Sequence, residues 1–118
     1  MKRILLLTAM FLGLVTISFA QSDYYIKKAQ SYQREAEYYQ KKAEGYRKEA
    51  TYYLKKAEGY QREAAYYTKR GDIDRAKTQT RYAEDATDKY KTQLRYAAEA
   101  DEKAAMYLRW ATEALKKH

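Results

Sequence analysis

Tyrosine is the one chemically versatile side chain this sequence supplies in quantity, fifteen in 118 residues, and it sets them at regular intervals. Tyr24, Tyr38, Tyr52 and Tyr66 recur every fourteen residues, and each is followed at once by a second tyrosine. Phenol rings in register can stack, hold cations over their faces and hydrogen-bond through their hydroxyls. They can also ligate ferric iron or pass electrons between neighbours, but a line of like groups does not build a closed coordination set. Catalysis needs unlike groups at one point. The chain has no cysteine, and its single histidine is His118. Thiol nucleophiles, paired-imidazole metal sites and glycine-rich phosphate loops are all missing from the sequence. The expectation is a protein that is not an enzyme, with no catalytic, cofactor-binding or metal residue, whose chemistry is recognition.

A second regular row is cationic. Lys27, Arg34, Lys41, Lys48, Lys55, Arg62 and Lys69 recur once per heptad, about 10.5 Å apart if the segment is helical. The plain reading is a solvated face, because Glu37, Glu44 and Glu58 precede Lys41, Lys48 and Arg62 by the four residues that suit a helical ion pair. The functional reading is a basic rail for an anionic envelope polymer: lipopolysaccharide, an acidic glycan or extracellular DNA. Interleaved tyrosines could stack on its sugars or bases.

Both rows need a long, straight element to hold them. The segments YYIKKAQSYQREAE, YYQKKAEGYRKEAT and YYLKKAEGYQREAA follow one another from Tyr24, Tyr38 and Tyr52. With Ala29, Ala36, Ala43, Ala50, Ala57 and Ala64 at heptad position a, position d is Tyr25, Tyr32, Tyr39, Tyr46, Tyr53, Tyr60 and Tyr67. An unbroken 4-3 seam of this length predicts a coiled-coil helix over about 23–70. No proline interrupts it. Gly71 and Asp72 supply a C-terminal stop and a new N-cap, so a turn is expected at about 71–72 and a second helix over about 73–117. The expected fold is all-α: a long antiparallel two-helix hairpin, a Tyr/Ala-rich coiled coil, occupying 21–118 as a single domain. In the second helix, one seam row runs Ile73, Thr80, Thr87, Leu94, Asp101, Leu108 and Leu115. The other runs Ala76, Ala83, Tyr90, Ala97, Ala104 and Ala111. One register places Tyr46 near Leu94 and Asp101 near Tyr39; a one-heptad slip places Asp101 near Tyr46 instead.

A two-helix seam buries one stripe of each helix, and the sequence has apolar residues beyond it. At position c, the rings Tyr24, Tyr38, Tyr52 and Tyr66 alternate with Ser31, Gly45 and Gly59. The second helix carries Tyr82, Tyr96 and Trp110, also fourteen apart, and an extra row of Ala86, Ala100, Tyr107 and Ala114. Tyrosine can lie flat with its hydroxyl in water. The alternative is that rings of one copy enter the glycine gaps of another. Tyr38, Gly45, Tyr52, Gly59, Tyr66, Tyr82, Tyr96 and Trp110 are the candidates for that homo-oligomeric contact. At position g, Lys28, Glu35, Lys42, Glu49, Lys56 and Glu63 alternate in sign, and an antiparallel copy centred near Gly45 would pair them.

The first twenty residues are a different object. Lys2 and Arg3 precede an apolar run from Ile4 to Phe19, and Ser18-Phe19-Ala20 offers the small residues of a cleavage site. This reads as a cleavable signal peptide over 1–20 of bacterial type, with a retained anchor as the alternative. Its removal takes two positive charges from the formal +8, leaving +6. The expected destination is the periplasm, cell surface or medium, with no stable membrane span after cleavage. The combined expectation is an exported structural or interaction protein that self-associates through Tyr/Ala seams into a bundle or filament, with envelope-polymer binding as the alternative.

Overall fold

The computed structural model describes residues 23–117; the expected signal peptide lies outside the described residues. The described chain is all-helical and consists of two long helices, α1 over Asp23–Lys69 and α2 over Ile73–Lys116. No described helix is long and apolar enough to cross a membrane.

The break between the helices is built from backbone chemistry. Gly71 adopts a positive φ of 76°, a conformation that a β-carbon disfavours. That turn lets the Asp72 amide reach back to the Tyr67 carbonyl at 3.0 Å and the Gly71 amide to that of Thr68 at 3.1 Å. These are the two bonds of a Schellman stop, and they satisfy carbonyls that the helix end would leave open. Asp72 then starts α2. Its carboxylate accepts the Arg75 amide at 3.2 Å, its own carbonyl accepts the Ala76 amide at 3.1 Å, and its second oxygen lies 3.5 Å from Arg75 Nε.

Tertiary contacts divide the described residues into two compact units, one combining those up to Ala43 with those from Glu99 onward, the other spanning Glu44–Ala98. In the first unit Ala29 packs with Ala111, Ala114 and Leu115, joined by Ile26 and Tyr32. In the second, Tyr46 meets Tyr96, Tyr53 lies beneath Lys89 and Tyr60 meets Tyr82. The partner number falls as the α1 number rises, so the two helical segments of this unit run antiparallel.

Alanine explains how closely they pack. Ala29, Ala36, Ala43 and Ala50 are fully buried, and among the described residues no large side chain is. A methyl at a lets the facing backbone approach and leaves no space for a ring between the helices, so the rings must lie at the margins of the seam.

The seam of α2 differs from the expected one. Ala76, Ala83, Ala97, Ala104 and Ala111 are buried as anticipated, but in the other row Leu115 alone is buried, at 5%, while Ile73 and Leu94 are 51% and 39% exposed. Their place is taken by Ala86, Ala100 and Ala114, all buried. The buried stripe is thus rotated by about 60° about the α2 axis, given 100° per residue. That rotation brings the aromatic row of α2 against the d-position rings of α1. It also removes an argument for an outside partner, because the extra apolar row is covered within the chain.

Two substitutions test this account. Ala50→Leu should destabilise the fold by about 1–3 kcal/mol through overpacking, read as a lower urea midpoint. Gly71→Ala should cost about 1–2 kcal/mol from the left-handed backbone alone, since an added β-carbon there would meet no atom within 4 Å.

Candidate functional site

The tyrosines at d define one margin of the seam, and in the second unit α2 presents them with two kinds of group in alternation. In the second unit, Tyr60 meets Tyr82 and Tyr46 meets Tyr96, each at a ring separation of 5.4 Å and 56°. Between these layers Arg75 lies over Tyr67 and Lys89 over Tyr53, both at 5.7 Å. The first unit adds a further ring to this pattern. Tyr32 meets Trp110 at 5.8 Å, and Lys103 sits 5.3 Å over the Tyr39 ring. Tyr107 closes this cluster, stacked on Tyr39 at 9° and edge-on to Trp110. Tyr39 is thus flanked by Tyr107 and Lys103, while Asp101 is half-buried. The observed ring contact of Tyr46 falls two residues beyond Leu94, a direct result of the rotated α2 stripe.

Outside this margin lies the c row. Tyr24, Tyr38, Tyr52 and Tyr66 are 63%, 52%, 51% and 48% exposed. Each stands edge-on to the tyrosine that follows it, with centroids 5.0–5.3 Å apart. Each also carries a cation from one helical turn further on: Lys28, Lys42, Lys56 and Arg70, at 5.8, 5.1, 5.0 and 5.1 Å from the respective centroids. Arg70 also donates a hydrogen bond to the Tyr66 hydroxyl. The Lys56 ammonium is held above its ordinary pKa by its hydrogen bond to the Tyr52 hydroxyl and by the phenols around it. At the small residues of the row the surface is recessed. A β-carbon on Gly45 would meet nothing within 4 Å, and one on Gly59 only the tip of Arg62 at 3.9 Å.

The expected self-association residues therefore separate into two groups. Tyr82, Tyr96 and Trp110 engage Tyr60, Tyr46 and Tyr32 of their own chain, although they stay 47%, 39% and 38% exposed. Tyr38, Tyr52, Tyr66, Gly45 and Gly59 remain outward on α1. The basic row from Lys27 to Lys69 is exposed at every position. Sequence reasoning missed Arg75, Lys89 and Lys103, which share the fourteen-residue spacing of the α2 rings and could have been found by it.

The other margin of the second unit is thinner. An open groove of about 450 Å³ there is lined by Gln61, Ala64, Thr80, Ala83 and Thr87 among others. No cluster of three or more His, Cys, Asp or Glu that could hold a metal ion occurs among the described residues. No protein family, curated protein or solved structure matches the chain.

The Tyr52 hydroxyl is the testable part of this edge. Lys56 should titrate above 10.5, the ordinary lysine value, and Tyr52→Phe should bring it down by removing the acceptor while keeping the ring. Because the folded value is raised, the stabilisation is complete below pH 10.5 and is lost as pH climbs through the raised value. Side-chain NMR of Lys56 in the two proteins reads the difference.

Proposed function

We propose that this is an exported structural protein, an antiparallel helical hairpin of coiled-coil type that self-associates along the outer edge of α1 into a bundle or filament. The observation that carries the reading is the c row. Four rings about half-exposed or more recur every fourteen residues, with Ser31 and the open positions at Gly45 and Gly59 between them. Glycine inside a helix costs about 1 kcal/mol relative to alanine, and no atom of the chain itself requires it at Gly45. A surface with protruding rings and recessed gaps of the same period is suited to another surface of that period, and a copy of this chain has it. Aromatic contacts of this kind contribute about 0.5–1.5 kcal/mol each beyond the area they bury, so several in register are needed for a stable assembly.

Export rests on the basic start, apolar run and small-residue site of the first twenty residues. The exposed basic row favours a second reading, an anionic envelope polymer laid along the basic face of α1, which adjoins the tyrosine edge about 60° around the helix. The two readings respond differently to salt. The purified protein should sediment as an oligomer at micromolar concentration and remain one in 0.5 M salt, whereas Tyr52→Glu with Tyr66→Glu should give a helical monomer. A monomeric wild-type protein that binds lipopolysaccharide or DNA only at low salt would replace the structural reading with the polymer-binding one.

A further inference from the structure

We propose that the partner of the tyrosine edge is a second copy of this chain lying parallel to the first and displaced along it by one heptad. The inference rests on the self-association reading and adds orientation and register to it. In the second unit the edge of α1 is a series of two-part steps, each made of a c residue and the g residue four places on. Tyr52 with Lys56 and Tyr66 with Arg70 are bulky and cationic. Gly45 with Glu49 and Gly59 with Glu63 are recessed and anionic. Shape and charge alternate in the same phase, and Tyr38 with Lys42 and Ser31 with Glu35 continue the alternation in the first unit.

That shared phase discriminates among arrangements. Parallel copies without displacement set ring on ring and cation on cation. Antiparallel copies reverse the order within each step, so only one row can be satisfied at a time. The register that seats Tyr52 over Gly59 sets Lys56 near Lys56 and Glu49 near Glu63. The registers that pair Lys56 with Glu49 or Glu63 set tyrosine against tyrosine and glycine against glycine. Rings in contact then hold the helices apart, and the glycine layers become voids with no atoms to fill them. Parallel copies displaced by one heptad, about 10 Å, satisfy both rows. Tyr52 then enters the gap at Gly45 or Gly59 while Lys56 faces Glu49 or Glu63. Such a contact has no two-fold axis, so it is heterologous rather than isologous.

The chain has no cysteine, so a single nitroxide on Lys27→Cys, near the start of α1, reports orientation by double electron–electron resonance in the oligomer. The expected separation is below about 40 Å, whereas the antiparallel registers weighed above, or one centred near Gly45, would place the labels about 50 Å or more apart. The longer distance overturns the parallel arrangement and leaves self-association standing; a monomer in the sedimentation experiment removes self-association itself. Gly45→Leu with Gly59→Leu tests the seating of rings in gaps. The positions are open and leucine favours helix more than glycine does, so the fold should keep its circular dichroism and gain thermal stability. Self-association should weaken at least 100-fold, and undiminished association of the folded variant would overturn the proposal.

Discussion

Alanine at every a position of α1 from Ala29 to Ala57 sits at 3% exposure or less, and the rest of the arrangement follows from that closeness. With alanine methyl groups along the centre of the seam, no aromatic ring is fully buried there among the described residues. The tyrosines at d must lean out to one margin, where each stays only partly buried. A conventional core would have used leucine at d to fill the middle. Here the apolar area lies on the flank, and its stabilisation depends on what α2 and the neighbouring c residue place against each ring.

What they place there is regulated layer by layer. Around Tyr53 and Tyr67 the second ring comes from α1 itself, Tyr52 or Tyr66, and α2 contributes a cation. Around Tyr46 and Tyr60 position c is glycine, and α2 contributes Tyr96 or Tyr82. Each layer of the second unit therefore pairs its d ring with one further ring of the c or α2 row, from alternating helices. The g residue follows the same alternation, a cation where it lies over a c ring and a glutamate where c is glycine. The fourteen-residue period is thus explained first by packing inside the chain. The lysines that an antiparallel copy was expected to pair with glutamates already lie over tyrosines four residues before them.

Much of this was legible from residue spacing. The a and d rows of α1, the Gly71-Asp72 break and the alanine row from Ala76 to Ala111 all follow from heptad and capping rules that act locally. The rotation of α2 was not legible in the same way, because Ile73 and Leu94 are more apolar than Ala86 and Ala100 and a hydrophobicity argument selects them. The deciding quantity is aromatic contact across the margin, which depends on both helices at once. The partners of Tyr53 and Tyr67 were missed for the related reason that a lysine or arginine on a helix reads as a solvent-facing residue until a ring is known to lie beneath it.

The alternation also specifies how the two helices of the second unit align. A Tyr/Ala heptad alone would tolerate a slip of seven residues, since every layer would again offer alanine to alanine and tyrosine to a facing residue. With the period doubled, the slip would bring Tyr82 against Tyr53 or Tyr67, where a c ring already stands, and would leave Lys89 at a layer with no c ring. Three rings would crowd one layer and a single ring would serve the next. The turn acts in the same direction, because the two Schellman bonds at Gly71 and Asp72 leave three residues between the helices and no slack to absorb a heptad. Register is therefore set from the turn by backbone geometry and along the helices by ring occupancy, and the glycines that complete the second device are the same ones that leave the outer edge notched.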